Sequence, residues 1–282
     1  GTVNGMMWAS SYVGTAIGGA GMGTVIANFG LRPAFCLQAA VLFLILCVPL
    51  FVRERAGEKL LPWTEGDAKL EPGEEEMEDL RGLVKGLFGA FAAWPPFLGA
   101  LYAYAASVMV GMRVAVMPVF YTQEIGWTDE HYAQVEGGAG SAAGVAGALV
   151  GGFLADRVGV KAIITFGMLG ISGFCVAMGA SEELRAHESF PLVFLLGTTF
   201  LISLMTVASF ALFMRLCTPA VAGTQYTLYM ALANLARVSG AAIVASIEGS
   251  GYRTIFLVMA VAIVVPLLFL YPIRQGQPEV KA

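Results

Sequence analysis

Two arginines and a glutamate stand where charge is costly. Arg237 lies about fourteen residues into the apolar run that opens near Gly223, roughly 20 Å along a helix of that length. On membrane-insertion scales such a residue costs at least ~2.5–3.5 kcal/mol, so it is expected to face a wet cavity or a partner. A guanidinium there can grip a carboxylate or phosphate through two parallel hydrogen bonds, or tie down a backbone carbonyl. Positions 226, 229/230, 233/234 and 237 share one helical face. Tyr226, Asn234 and Arg237, with Gln225 beside them, therefore form a candidate lining for a polar path, to which Tyr102 and Tyr104 of another run can add. Tyr226 equally suits an interfacial belt.

Arg113 and Glu136 form the second constellation. Each lies about five residues from the same end of its own apolar run. They are expected to be level neighbours and to pair, since a paired charge is tolerated in lipid where a single one is not. The pair can serve as a proton-operated gate, in which protonation of Glu136 releases Arg113, or as a static bridge. Arg113 is also a candidate contact for an anion.

Other chemistries find no support. No HExxH occurs, no Asp lies inside an apolar run, and His131 and His187 fall in connecting segments. Neither a metal centre nor a His-based triad is expected, and no GxxxxGK[ST] loop points to ATP. Cys36, Cys47, Cys175 and Cys217 lie in or at the ends of apolar runs and read as packing residues. No cofactor, metal or nucleic acid is expected. The classes left are a carrier, an intramembrane enzyme and a receptor or scaffold, with the carrier leading.

The chain that must position these groups is 57% hydrophobic and 13% charged over 282 residues, with mean hydropathy +0.75. That is too apolar for a water-soluble domain and suits a bilayer. Eight spans are expected, at about residues 5–28, 34–52, 95–119, 132–154, 161–180, 190–214, 223–247 and 254–273. Helices are the expected form, because lipid offers the backbone no hydrogen-bond partner. Eleven of the sixteen Lys and Arg, Arg157, Lys161 and Arg215 among them, fall on one side, against three on the other. The excess puts that side, and the C-terminus, in the cytoplasm. Residues 53–90, with the acidic run Glu74–Asp79, read as a solvated linker. The end of that stretch, DLRGLVKGLFGAF, reads as an interfacial amphipathic helix.

The first two spans echo the last two. Gly1-Thr2 and Gly18 match Gly223-Thr224 and Gly240; Gly30, Arg32, Phe35 and Arg53 match Gly251, Arg253, Phe256 and Arg274. Transporter folds are commonly built of such repeats. On that arithmetic four helices of a first half are missing, and the chain reads as a fragment of a twelve-span protein. Pairs at four-residue spacing, Gly14/Gly18, Gly19/Gly23, Gly140/Gly144 and Gly147/Gly151, would let helix backbones approach closely.

One charged strip between apolar runs, GFLADRVGVK at Gly152–Lys161, resembles the signature loop of the major facilitator superfamily, G-x-L-a-D-R-x-G-x-K. Gly152, Asp156, Arg157, Gly159 and Lys161 carry the match. Three longer stretches resemble the AmpG-like branch, which includes muropeptide permeases and acetyl-CoA transporters. They are FYTQEIGWTDEHYAQV, GALVGGFLADRVGVKAIITFG and AGTQYTLYMALANLARVSGA. Siderophore importers of the RhtX/FptX type have similar helices. Muropeptide permeases tend to carry a lysine where this chain has Glu136.

The resemblance implies an all-α membrane protein of the major facilitator superfamily fold, its eight transmembrane helices being the last eight of twelve. Residues 1–53 would close the N-terminal bundle, 54–91 would be the cytoplasmic linker, 92–274 the six-helix C-terminal bundle and 275–282 a tail. It further implies proton-coupled secondary transport of an organic anion such as a muropeptide, with no enzymatic step. The expected setting is a bacterial inner membrane, and the expected full-length state is monomeric. In the signature loop, the Asp would contact a neighbouring helix and stabilise the outward-open state.

Overall fold

Among the residues described by the computed structural model, 1–51, 80–187 and 189–273, every regular element is a helix. The first stretch forms α1 (Thr2–Phe29) and α2 (Leu31–Phe51). After α3 (Leu80–Ala92), α4 (Trp94–Val119) runs into a π-turn at Phe120–Glu124. The short α5 (Asp129–Val135) joins α6 (Ser141–Arg157) through a second π-turn, Glu136–Gly140. Then come α7 (Val160–Ala180), α8 (Glu182–Ala186), α9 (Phe190–Leu216), α10 (Ala222–Ile247), α11 (Gly251–Val264) and α12 (Leu267–Leu270). Residues 54–79 of the expected linker, the tail, and Arg53 and Arg274 of the repeat lie outside the described residues.

Local chemistry sets the boundaries. Prolines open α4 and α9, where a missing N–H costs nothing. Thr128 accepts a hydrogen bond from the His131 backbone N–H at 3.1 Å and caps α5. Pro266 cannot donate to the helical ladder, so the expected last span, 254–273, is divided into α11 and α12. Gly30 and Gly251, matched by the repeat, take φ of +83° and +81° between their helix pairs.

Six stretches of described residues are long and apolar enough to cross a membrane. The difference from the expected eight has two sources. The span at 5–28 lies in α1, a helix of sufficient length whose six glycines dilute its hydropathy. Those at 223–247 and 254–273 merge into one apolar stretch, Ala222–Leu270.

Two units emerge from the packing. Ile17–Gly82 forms one, and Gly1–Ala16 with the chain from Leu83 onward forms the other. The first half of α1 thus packs with the C-terminal helices. In the larger unit α4 lies along α10 and α11, α7 along α9 and α11, and α6 along α9. Exchanging α4, α6 and α7 for α9, α10 and α11 maps these pairs onto one another, the pattern of an internal three-helix repeat. Met112, Met168, Leu195, Phe256 and Ile263 fill its core. Phe166, Leu169, Val261 and Leu268 are exposed instead, as befits helices whose outer faces meet lipid. Phe91 of α3 packs edge-on against Tyr229 at 5.5 Å, while Phe88 is exposed, so the helix has one docked and one free face.

Candidate functional site

A cavity of about 630 Å³ lies among α4, α6, α9, α10 and the first half of α1. Each helix contributes a stripe at helical spacing. From α4 come Tyr102, Ala106, Val110 and Arg113; from α9, Thr199, Ile202, Met205, Ser209 and Phe213; from α10, Met230, Asn234 and Arg237. Trp8, Tyr12 and Thr15 of α1 and Glu136 of the π-turn complete the frame.

Arg113 and Glu136 pair across this cavity, Nη1 to Oε1 at 3.5 Å. Arg113 Nη2 also donates to Thr199 Oγ1 at 2.7 Å. The pair is poorly matched: Arg113 Nε and Glu136 Oε2 are both buried and without a hydrogen-bond partner. Buried polar atoms are rarely left so. Glu136 opens the π-turn Glu136–Gly140, where an extra residue per turn leaves the helix locally underwound.

Arg237 is exposed to the cavity and makes no hydrogen bond or ion pair to any described residue. Its backbone is held against α4 at Gly111, and Gly240 meets Val108 of α4 one turn further on. At the other end of the cavity Tyr102 and Ser209 share a 2.6 Å hydrogen bond. Ser203 donates to Tyr12 Oη at 2.7 Å, linking α9 to α1.

The Gly152–Lys161 strip forms the turn between α6 and α7. Asp156 Oδ2 accepts from the Thr2 backbone N–H at 2.9 Å and from Thr2 Oγ1 at 2.7 Å, which ties α6 to α1. Gly152 packs against Gly5 of the same helix. Gly159 takes φ +100°, a conformation that other residues rarely adopt. The Arg157 guanidinium lies 4.2 Å over the Phe153 ring. Lys161 Nζ donates to the Tyr271 and Ile273 carbonyls, holding the end of α12.

A family description, Major Facilitator Superfamily, matches residues 1–241. The chain belongs to the major facilitator superfamily. Members are membrane transporters of small molecules and not enzymes, so this is a multi-pass membrane protein. Multidrug resistance protein MdtG of Yersinia enterocolitica serotype O:8 / biotype 1B is 27% identical over 283 residues, covering 96% of this chain and 63% of that protein. The chain thus spans less than two thirds of that relative's length.

Not every expected lining residue of this superfamily member reaches the cavity. Arg237, Asn234, Arg113, Glu136 and Tyr102 line it. Gln225 does not: it is fully buried, accepts from the Thr218 N–H at 2.8 Å and donates to the Leu216 carbonyl at 3.2 Å, stitching the turn between α9 and α10. Tyr226 packs edge-on against Phe210 outside the lining. Tyr104 donates to Ser239 Oγ of α10. The polar face of α10 therefore holds only from Met230 to Arg237, because the helix start is turned into the α9–α10 junction. Asp156 sits inside the last turn of α6, from which its carboxylate reaches Thr2 of α1. The glycine pairs divide likewise. Gly147 and Gly151 meet the α9 backbone and Gly144 meets the Tyr12 ring, whereas Gly14 and Gly18 face open space.

Thr199, Trp8, Tyr12 and Ser209 line the cavity without having been singled out. Trp8 and Tyr12 stand one turn apart on a small-residue helix, a spacing that marks an aromatic face. Thr199 has a fainter signal, a hydroxyl in an apolar run.

Proposed function

We propose that the protein is a proton-coupled secondary transporter of a small organic anion. The observation that carries this reading is Arg237: a cation on the cavity wall, with no ion-pair or hydrogen-bond partner among the described residues. In lipid such a group is retained where it serves a ligand or a pathway. Arg237 anchors the anion bidentately, with Asn234 one turn away on the same face. Tyr102 contributes a hydroxyl-bearing ring, and Arg113 is a second contact. Gln225 and Tyr226 belong to the supporting structure.

Glu136 is the coupling group. When it takes up a proton its hold on Arg113 weakens, and Arg113 becomes available to the anion. Asp156 ties α1 to the end of α6 and is broken when the carrier changes state, the rest of the signature loop keeping the turn tight. On this reading the chain supplies the last eight helices of twelve, with its C-terminus in the cytoplasm of a bacterial inner membrane. The full-length protein acts as a monomer.

The motif resemblance favours a muropeptide or peptide-like solute, with siderophores and acetyl-CoA as related candidates. The likeness to a multidrug resistance protein favours drug molecules. Uptake by the full-length protein in a permease-null strain, with anhydromuropeptide, a ferric siderophore and acetyl-CoA and with and without an uncoupler, separates these. Uncoupler-sensitive accumulation of one solute supports the reading; ligand binding without flux would identify a receptor instead.

A further inference from the structure

Arg113 is shared between two acceptors on different elements. Its Nη2 donates to Thr199 Oγ1 of α9 at 2.7 Å, while its Nη1 lies 3.5 Å from Glu136 Oε1. The Thr199 hydroxyl is itself anchored, donating to the Leu195 carbonyl one turn back at 2.8 Å. Thr199 is buried, so this bond is held inside the bundle. A guanidinium presents parallel donors to a carboxylate along two edges, Nε with Nη2 or Nη1 with Nη2. Nη2, common to both, is the nitrogen that Thr199 holds.

The ion pair is incomplete in a matching way. Arg113 Nε, a donor, and Glu136 Oε2, an acceptor, are each left without a hydrogen bond. Both atoms are sealed by this chain's own atoms, so no group from elsewhere reaches them where they stand. A two-pronged pair on the Nε edge would satisfy both at once. The Glu136 side chain as a whole keeps 34% of its exposure and lines the cavity, so protons have access to it.

We propose that Thr199 is a positioning residue for proton coupling: by holding Nη2 it keeps the Arg113–Glu136 pair one-pronged and loose, so that Glu136 releases Arg113 at mild rather than strong acidity. This rests on the reading of Glu136 as the coupling group and adds the residue that sets its threshold. Other titratable groups surround the pair. Tyr121 and Tyr132 face both of its members, Cys175 of α7 faces Arg113, and Tyr12 and Arg237 line the same cavity. All of these stay in place in the variants below.

Two measurements on the full-length protein test this. The first is a double-mutant cycle, Arg113→Gln with Glu136→Gln, read from equilibrium unfolding in mixed detergent micelles. Thr199→Val keeps nearly the same shape but removes the acceptor, which frees Arg113 to close on Glu136. In that background the pair's coupling constant should rise about fivefold or more. The second is accumulation in proteoliposomes against external pH, with labelled anhydromuropeptide, ferric siderophore or acetyl-CoA, whichever the protein accumulates. Thr199→Val should move the pH of half-maximal accumulation down by about one unit. Thr199→Ser keeps the hydroxyl and should return both quantities to those of the unmodified protein. Thr199→Ala, which also lacks the acceptor, replaces the valine variant should that one fail to fold.

A coupling constant unchanged by Thr199→Val would overturn the inference and leave Glu136 as the coupling group. A serine variant that behaves like the valine one would overturn it too, because the effect would then follow packing and not the hydroxyl. A strengthened pair with an unmoved pH profile would defeat the reading of Glu136 as the coupling group, and this inference with it.

Discussion

Gly111 of α4 lies against the backbone of Arg237 on α10, so close that a Cβ at position 111 would run into the Arg237 carbonyl and Cα. This contact fixes the height and direction of the cavity's unpartnered cation. It also places Arg237 close to Arg113, two residues beyond Gly111 on the same helix. The two arginines are positioned by one helix crossing.

Gly111→Ala should therefore impair transport without touching any ligand. Neither backbone can yield as a flexible side chain would, so α4 and α10 must separate. The cost should be about 1–3 kcal/mol, seen as a lower Tm in detergent, together with a raised KM for the solute that the full-length protein accumulates. Gly173→Ala on α7 meets open space and should change neither quantity.

The Arg113–Glu136 pair predicts a separation of folding from coupling. Glu136→Gln leaves Arg113 its bond to Thr199 and should keep the protein folded, with Tm within a few degrees. Counterflow of solute should survive while proton-driven accumulation is lost. The double exchange Arg113→Glu with Glu136→Arg should restore whatever stability Arg113→Glu alone removes, yet should not restore accumulation. Full accumulation by Glu136→Gln would exclude Glu136 as the coupling group.

Asp156→Ala removes two hydrogen bonds to Thr2. As Asp156 is exposed to solvent, the loss of stability should be small. Its effect should be local: a cysteine at Thr2 should react faster with a maleimide once the carboxylate is gone. Unchanged labelling would show that Asp156 does not hold α1.

Gln225→Leu distinguishes a structural from a binding role. It leaves the Thr218 N–H and the Leu216 carbonyl without their partner, for about 1–3 kcal/mol. Protein abundance and Tm should fall, while the KM of whatever protein survives should match that of the unmodified transporter. A raised KM at unchanged Tm would return Gln225 to the binding set.

Much of this arrangement was legible in the residues. Charges in apolar runs carry a penalty that restricts where they can point, so Arg237 was expected at a wet cavity or a partner, and Arg113 beside Glu136. The depth argument that paired Arg113 with Glu136 needed only the helical rise. The signature decapeptide located the α6–α7 turn. Other features depend on tertiary packing. Nothing local to Gln225 says that its amide closes the α9–α10 turn, since the same residue at a helix start could face a polar path. Periodicity put Tyr226 and Arg237 on one face, but that face is not uniform along α10: its first turns meet Phe210 and the α9–α10 junction, its later turns the cavity. The underwound π-turn at Glu136 was invisible to a reading based on a constant helical period.

Accumulation in proteoliposomes tests the central claim most directly. Full-length protein and its Arg237→Gln variant, reconstituted at equal density, would be given labelled anhydromuropeptide, ferric siderophore or acetyl-CoA, whichever the uptake assay identifies, under an imposed proton gradient. The account predicts uncoupler-sensitive accumulation by the unmodified protein and none by Arg237→Gln, although the variant keeps the same Tm. Equal accumulation by the two would contradict it.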